Sequence, residues 1–430
     1  MSKLLPSPEI PSNAQTTRHR ARRFNSMKQK FSLGFALLAA LLLRVFFACA
    51  TPTGFETVSR GISWFSDERA HINYVRHLAL ARRLPVQTNS VKVPCAFARG
   101  DYEYYQPPLS YVAQTPAWML GEVLRPGLGW LFVRLLDALF GVATVLVGWL
   151  IAKKISPGNE IWAAWFLALQ PGFCYQGTLA SNDPLFWFLG SLFLLKTLDF
   201  AEGKSPWPLA PLACAALLTK SSGIAPLPLP FFALLLTRTK DITDSVQRFR
   251  FRSNRFIGAA AAIGTGILFA LPWYFRNHCI YGSWMSLEVG HGAPYQVMQT
   301  ISNIQMIKML VLYFATSIWF PIDQEWVIHP LPRAIFSLAS LACIAPFIIS
   351  WRRLRESSTW ILFACILLGV GAMIPYAIRY RQSEARHLFY LLPAFVALWC
   401  VAARPHVARW GALALLPSLL TWAWIAFRFF

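Results

Sequence analysis

The sequence predicts an all-α, polytopic membrane protein, a transmembrane helical bundle of about eleven spans. Hydrophobic residues make up 56% of its 430 residues and charged residues only 14%. Apolar runs of about 17 to 25 residues, long enough to cross a bilayer as helices, recur along nearly the whole chain. The net charge of +21 would suggest nucleic acid in a soluble protein. Here the basic residues collect in short loops between apolar runs, the positive-inside pattern of membrane proteins, so nucleic acid is not an expected partner.

The chain divides into three predicted segments. Residues 1–30 are polar and basic and predict a disordered cytosolic tail, residues 31–403 form the main transmembrane module, and residues 404–430 hold the last span. Several spans are short and interrupted by proline, as happens where helices break around a cavity. The expected spans are 31–50, 130–152, 161–175, 185–198, 208–218, 224–236, 256–275, 334–351, 360–377, 388–401 and 410–427.

Two long loops are expected on the outer face, a first outer loop at 51–129 and a second at 277–333. The segment 108–124 in the first loop is apolar enough to suggest another span. If it crossed the membrane, Lys153, Lys154 and every later basic loop would move to the outside. We therefore expect a juxtamembrane helix there and a cytosolic N-terminus. The expected location is a bacterial cytoplasmic (inner) membrane.

The first outer loop contains a short helical pattern at 64–83. Ser66 is a suitable N-cap, and Asp67 and Glu68 follow in the first turn, where the helix dipole favours acids. Asp67 and His71 are four residues apart and share one face of the helix. Taken alone, this pattern indicates an amphipathic surface helix with ordinary N-terminal acids.

Five stretches with chemically active side chains fall at the outer ends of the predicted spans. These are 66–71, 104–111, 181–187, 218–223, and 272–282 together with 384–393. They would bring carboxylates, lysine, arginine and histidine around one membrane-level cavity. That mixture suits a lipid phosphate held by cations, with a carboxylate left to take a proton.

In order and spacing these stretches resemble the GT-C superfamily of membrane glycosyltransferases, and especially its protein O-mannosyltransferase and lipid A aminoarabinose transferase branch. That branch typically has an Asp-Glu pair, a Pro-Pro-Leu-Tyr-type juxtamembrane helix, an Asp in the second outer loop, a Leu-Thr-Lys turn, a Pro-Trp…Arg-Asn segment and a late Arg-Tyr/His-Leu. The matching residues here are Asp67-Glu68, Pro107-Pro108-Leu109, Asn182-Asp183-Pro184, Leu218-Thr219-Lys220, Pro272-Trp273 with Arg276-Asn277, and Arg386-His387-Leu388. Each motif alone is weak, but six in order are specific.

The resemblance implies inverting sugar transfer on the outer face. The donor would be a polyprenyl- or dolichyl-phosphate-linked sugar, the acceptor a lipid, a glycan or a protein. Asp67 would be the general base on the acceptor hydroxyl or the group that orients it, and Glu68 would assist it or bind the sugar. The cations expected at the donor phosphate are Lys220, Arg386 and Arg276. The expected substrate-binding residues are His71, Tyr105, Gln106, Asn182, Asp183 and His387.

Structural roles compete with these assignments. Asn182 or Asp183 could cap the helix that follows, the cations could reach lipid headgroups, and the histidines could be hydrogen-bonded structural residues. Arg134 and Asp137 lie one turn apart early in the second span and are expected to pair with each other.

The sequence also departs from the family pattern. Gln106 stands where several relatives carry a cationic Lys or His. No clear Asp-x-Asp motif occurs in the outer loops, so no metal or other cofactor is predicted, although a divalent cation is possible. Asp101 and Glu103 are interpreted as ordinary loop acids.

Two other functions fit parts of the pattern. A transporter or flippase for a lipid-linked sugar would also have broken helices and charges within the membrane. No internal repeat of the spans supports it, and the densest polar chemistry lies in the first outer loop. A non-catalytic homologue that binds a lipid-linked sugar is disfavoured because Asp67 is intact.

Overall fold

The computed structural model describes residues 12–51, 67–87, 103–237, 245–290, 302, 304–305, 318–319, 330–380, 385–404 and 406–429. Helices account for the regular structure of these residues, with no strand among them, so the all-α prediction is confirmed. The α-helices are α1 (Ser12–Ala50), α2 (Glu68–Ala81), α3 (Leu109–Leu124), α4 (Gly129–Ile155), α5 (Glu160–Leu169), α6 (Pro171–Gln176), α7 (Asp183–Ala201), α8 (Leu209–Thr219), α9 (Leu229–Leu236), α10 (Ser245–Tyr281), α11 (Leu287–Gly290), α12 (Pro330–Ser350), α13 (Ser357–Tyr380), α14 (Leu392–Ala402) and α15 (Val407–Phe429). Short 3₁₀ helices lie at Ser221–Ile224, Trp351–Arg355 and Ala385–Leu391.

The chain is a multi-pass membrane protein. Within the described residues, seven helices are long and apolar enough to cross a membrane: Gln29–Ala50, Gly129–Ile155, Asp183–Ala201, Phe249–Tyr281, Ser337–Arg355, Ser357–Arg379 and Ala385–Ala402. Three further apolar helices, Glu160–Leu169, Leu209–Thr219 and Ser221–Leu236, have only 10–17 residues. The expected count of about eleven spans is not confirmed, because such helices are shorter than the roughly 20 residues that a bilayer requires.

Helix α1 begins inside the segment that was expected to be a disordered tail. It runs without a break from Ser12 to Ala50, so residues 12–30 are helical. Residues 1–11 lie outside the described part of the chain, as do 52–66 and 88–102 of the first outer loop and most of the second. Ser66, the expected N-cap of α2, is among them.

Helix α4 is the centre of the bundle. It packs against α1, α3, α5, α7 and α14, and its buried face joins the largest apolar core cluster. Aromatic side chains dominate that cluster: Trp187 and Phe389 meet edge-on with their ring centroids 5.2 Å apart. Large buried aromatics contribute much of the apolar area in such a core. The core therefore holds the start of α7 against the 3₁₀ helix Ala385–Leu391.

The helices break at Gln170, inside the expected span 161–175, and at Lys220, between the expected spans 208–218 and 224–236. Helix α5 ends at Leu169 and α6 begins at Pro171, because proline has no N–H to continue the hydrogen-bond ladder. The Gln170 side chain accepts a hydrogen bond from the Phe173 N–H and caps α6. Helix α8 similarly ends at Thr219, and Lys220 then takes an extended conformation before the 3₁₀ helix Ser221–Ile224. Each break places polar groups between helical segments.

The two ends of the bundle differ in charge. At the C-terminal ends of α4 and α7, the Lys154 ammonium lies 3.0 Å from Asp199, and Lys196 and Lys204 pair with the same carboxylate. The N-terminal ends of the same helices lie at the opposite end, with Asp183 at the start of α7. That opposite end holds the candidate site.

A glycine provides a test of the packing between α8 and α10. A Cβ added to Gly266 would lie 2.5 Å from the Ala210 carbonyl oxygen and 2.8 Å from the Ala213 Cβ, so the helices would have to separate. We expect Gly266→Ala to lower the free energy of unfolding by about 1–3 kcal/mol, as overpacking does. Tryptophan fluorescence during unfolding in mixed micelles measures the change.

Gly264→Ala is the matched control, because no described residue has an atom within 4 Å of the Cβ it would add to the same helix. Alanine there is expected to leave stability unchanged or raised. Equal destabilisation by both substitutions would contradict close packing at Gly266.

Candidate active site

Asp67 occupies the N-cap position of α2, but its side chain does not cap the helix. Its Oδ2 instead accepts a hydrogen bond from Arg386 Nη2 at 2.6 Å. The Asp67 side chain is 30% exposed and that of Arg386 only 9%. A capping acid would normally stabilise its helix by about 1 kcal/mol. Here the carboxylate faces the 3₁₀ helix Ala385–Leu391 and remains accessible from outside the protein.

The pair between Asp67 and Arg386 begins a row of alternating charges, called here the charge row. Arg386 Nε lies 3.9 Å from Asp183 Oδ2, and Asp183 Oδ1 accepts a hydrogen bond from Lys220 Nζ. Each charged group has an oppositely charged neighbour within 3.9 Å. The four residues together carry no net formal charge.

Breaks in the helices explain why residues so far apart in sequence meet here. Asp183 is the first residue of α7, with Pro184 following it at a position where the missing N–H costs nothing. Lys220 occupies the extended break after α8. The Arg386 carbonyl accepts a hydrogen bond from Trp187 Nε1 at 2.9 Å, which fixes its backbone to α7.

His387 lies at the end of the charge row. Its Nδ1 is 3.4 Å from Lys220 Nζ. Its ring also meets Tyr376 of α13 edge-on, with the centroids 5.8 Å apart. The structure thus brings Asp67, Asp183, Lys220 and both residues of the late Arg-His motif together.

The amide side chains near the site form hydrogen bonds with neighbouring side chains and backbone carbonyl groups. Asn182 Nδ2 donates to the Thr219 carbonyl at 3.3 Å and to Gln106 Oε1 at 3.4 Å. Gln106 Nε2 donates to the Tyr105 hydroxyl at 3.1 Å, and Asn277 Nδ2 donates to the Tyr105 carbonyl at 2.9 Å. Asn182 therefore does not cap α7 through its side chain. These bonds hold the segment just before α3 against α7, α8 and α10.

Glu68 points away from Asp67 and is enclosed. It forms a bidentate ion pair with Arg134 of α4, with both hydrogen bonds at 2.6 Å, and its side chain is 1% exposed. Oε1 also accepts from the Ala180 N–H at 2.9 Å. This arrangement favours a structural role for Glu68 over the catalytic role expected from the motif.

The expected pair between Arg134 and Asp137 is wrong. Arg134 turns toward Glu68, whereas the Asp137 carboxylate accepts hydrogen bonds from Gln114 Nε2 at 2.8 and 2.9 Å and from the Ser181 N–H at 3.1 Å. The partners of Arg134 and Asp137 could not be inferred from sequence, because they lie far away in the chain. Only contacts one turn apart on α4 were predictable. The bonds of Asp137 join α3 and α4 to the segment just before Asp183.

Arg276 does not join the charge row through any contact among the described residues. Its Nη2 donates to the Pro85 carbonyl at 2.7 Å, and its guanidinium lies over the Trp273 ring at 4.8 Å. These contacts attach α10 to the segment that follows α2. The expected contact of Arg276 with a donor phosphate has no support from this position.

His71 and Glu103 form a second group beside Asp67. His71 Nδ1 lies 2.7 Å from the Tyr111 hydroxyl. Burial lowers the pKa of His71 to about 4, against a raising effect of Asp67, so the ring is neutral at pH 7. Burial, reinforced by Asp67, raises the pKa of Glu103 to about 8.

Glu103 was interpreted from sequence as a loop acid, yet its side chain is buried. The residue is 7% exposed, and its Oε2 has no hydrogen-bond partner within the described part of the chain. One ligand atom from each of Asp67, His71 and Glu103 lies within 4.8 Å of the others. The sequence signal for Glu103 was its position three residues before the Gln106-Pro107 motif, and that position does not reveal that the side chain is buried.

Comparison with known proteins gives a likeness in structure alone. Neither a protein-family model nor a curated protein matches the sequence. The archaeal oligosaccharyltransferase AglB from Archaeoglobus fulgidus, in complex with an inhibitory peptide and a dolichol-phosphate, is similar with a TM-score of 0.48 and 12% identity over 92% of this chain and 56% of that one. The same organism's oligosaccharyltransferase in the apo form gives a TM-score of 0.50 and 13% identity over 91% of this chain and 55% of that one. The chain therefore spans about half the length of these proteins, and its likeness to the apo structure concerns the fold alone.

Proposed function

We propose that this protein is a membrane glycosyltransferase that moves a sugar from a polyprenyl- or dolichyl-phosphate donor to an acceptor on the outer face of the membrane. The observation that carries the proposal is the meeting of Asp67 with Arg386, Asp183 and Lys220 at one end of the bundle. Transfer from a lipid phosphate requires a carboxylate that can take a proton and cations that stabilise the leaving phosphate. A partly exposed carboxylate beside paired cations supplies both. The proposal includes the protein O-mannosyltransferase-like branch suggested by the motifs.

In the proposed reaction the acceptor oxygen attacks the anomeric carbon from the face opposite the phosphate. Asp67 takes the hydroxyl proton as that bond forms, and the bond from carbon to the phosphate oxygen breaks with inversion. The lipid phosphate leaves with the electron pair. Arg386 and Lys220 stabilise its growing negative charge by turning part of their hydrogen bonding from Asp67 and Asp183 to the phosphate.

The charge difference between the two ends of the bundle supports an orientation. The end with Lys153, Lys154, Lys196 and Lys204 suits the cytosol by the positive-inside rule. The charge row would then face the other side, with a cytosolic N-terminus. In a bacterial cell this is the outer face of the cytoplasmic membrane.

A reconstitution experiment tests the proposal. The full chain is inserted into proteoliposomes with radiolabelled polyprenyl-phosphate sugars, and a membrane and envelope extract supplies acceptors. Label is expected to pass from the donor to a new product in the presence of protein. No transfer from any donor in a panel of hexose and pentose phosphates would reject the proposal, and donor flipping without transfer would favour a lipid-sugar flippase.

Lys220 is expected to bind the donor phosphate, and its removal should weaken binding. A hydrogen bond to a charged group contributes about 1.5–3 kcal/mol, so Lys220→Met should raise the donor Kd by about 10- to 100-fold. The single substitution also removes the nearer of the two cations beside the buried Asp183 carboxylate. The double variant Lys220→Met with Asp183→Asn removes that uncompensated charge.

Equilibrium binding of a radiolabelled polyprenyl-phosphate sugar in nanodiscs measures both variants. Lys196→Met, at the opposite end of α7, is the matched control and should leave Kd unchanged. Restoration of wild-type Kd in the double variant would show that Lys220 serves only to balance Asp183.

A further inference from the structure

We propose that the C-terminal end of α2 binds the headgroups of anionic phospholipids in the leaflet beside the charge row. The residues concerned, called here the arginine surface, are all exposed: Arg76, Leu80, Arg82, Arg83 and Leu84. Cations beside exposed apolar side chains are typical of helices that lie in the interface of a membrane. Binding of lipid does not depend on the proposed sugar transfer.

The arginine surface has no acidic partner among the described residues. The two acids at the start of α2 are paired elsewhere, Asp67 with Arg386 and Glu68 with Arg134. The three guanidinium groups of the surface therefore keep an uncompensated positive charge. In the proposed orientation they lie at the outer end of the bundle, where the positive-inside rule makes such cations scarce. A partner with negative charge accounts for their presence.

The apolar members of the surface fit a bilayer interface. Leu80 is 66% exposed and Leu84 is 39% exposed. Leu80 follows Arg76 by one turn, so the two side chains share a face of α2. The other side of the helix is buried, with Tyr74 and Val75 in an apolar cluster that includes residues of α3. At an interface the leucines would enter the acyl boundary while the arginines reach the phosphates.

Hydrogen bonds attach the segment after α2 to the end of a membrane-spanning helix. Arg276 Nη2 in α10 donates to the Pro85 carbonyl at 2.7 Å, and the Gln87 N–H donates to the Tyr281 hydroxyl at 2.9 Å. Trp284, just beyond the end of α10, is 47% exposed. Tyrosine and tryptophan at the end of a span are typical of the membrane–water interface. The arginine surface, which ends one residue before Pro85, is therefore held near headgroup level.

Arg82 ends α2 in a conformation that usually requires glycine. Its φ is 51° and its ψ 30°, in the left-handed region, and its N–H donates to the Leu78 carbonyl. Glycine is the usual residue at this position because a Cβ makes the conformation strained. An arginine there keeps a second positive charge beside Arg83 in spite of the strain. Strain of this kind is a reason to look for a function of the side chain.

Hydrogen–deuterium exchange resolved by mass spectrometry measures the contact on α2 itself. The full chain is placed in nanodiscs of phosphatidylcholine, alone or mixed with phosphatidylglycerol, and peptides covering residues 72–87 are followed. Lipid that binds the folded helix makes its opening rarer, so exchange slows. We expect exchange to be about 5- to 100-fold slower with phosphatidylglycerol, because each arginine near an anionic surface contributes a factor of about five.

Two triple variants separate the arginine surface from positive charge in general. The first replaces the three arginines of the surface: Arg76→Gln, Arg82→Gln and Arg83→Gln. The control replaces three exposed arginines of the 3₁₀ helix that follows α12: Arg352→Gln, Arg353→Gln and Arg355→Gln. Exposed substitutions of this kind usually change stability little. The first variant should lose most of the difference between the two lipid mixtures in α2, and the control should keep it.

The wild type decides the matter even if a variant fails to fold. Equal exchange of α2 in the two kinds of nanodisc would overturn the proposal, as would a difference that persists in the folded first variant. Inorganic phosphate added to phosphatidylcholine nanodiscs should have no effect, and protection by phosphate alone would reject a lipid surface as the partner. A chain that shows the lipid difference but transfers no sugar would reject the proposed function and leave the arginine surface standing.

Discussion

Asp67→Asn is expected to slow sugar transfer by about 100- to 10,000-fold, the usual contribution of a positioned general base. Asparagine keeps an oxygen that can accept the hydrogen bond from Arg386 Nη2, so the local geometry should persist. It cannot take the proton from an acceptor hydroxyl. The expected loss is therefore in turnover, with donor binding little changed, and initial rates in proteoliposomes measure it.

Glu202→Gln is a suitable control for this substitution. Glu202 pairs with Lys154 at the opposite end of the bundle and its side chain is 53% exposed. Such an exposed pair contributes little, about 0–1 kcal/mol, so transfer should match the wild type. Wild-type turnover by Asp67→Asn would eliminate Asp67 as the base.

Glu68→Gln is expected to lower the free energy of unfolding by about 3–5 kcal/mol, the usual cost of breaking a buried ion pair. The substitution leaves the Arg134 guanidinium buried at 0% exposure without a counter-charge. The loss would come from the contact between α2 and α4, which sets the position of Asp67. Unfolding in mixed micelles, followed by tryptophan fluorescence, measures the difference.

The double variant Glu68→Met with Arg134→Met separates charge from packing. Replacing both partners by apolar groups leaves no buried charge and is often neutral for stability. We expect it to recover most of the loss seen with Glu68→Gln. A cost for Glu68→Gln below about 1 kcal/mol, in the range of a surface pair, would mean that the pair does not anchor α2.

The arrangement of the charge row was largely accessible from sequence. Asp67, Asp183, Lys220 and Arg386 each follow or precede a predicted span, and the distribution of basic loops assigned those ends to one side. The order of the motifs along the chain then assigned these four residues to one site. The structure brings these four together.

Other parts were not accessible, for physical reasons. Arg134 and Glu68 are 66 positions apart, so only the turn-spaced Asp137 looked like a partner of Arg134. Glu103 is buried by packing between α2 and α3, which no local pattern encodes. The expected number of spans is not confirmed, because hydropathy does not distinguish a short buried helix from one that crosses the bilayer.

The bond between Asp67 and Arg386 joins residues 319 positions apart in the chain. At the usual rate of synthesis, roughly 20–60 s would pass between the addition of one and the addition of the other. During that interval α2 would already be synthesised, whereas Arg386, the partner of the Asp67 carboxylate, would not. Most of the chain can thus be synthesised before the charge row is complete, and a ribosome that stopped before Ala385 would release a chain without it.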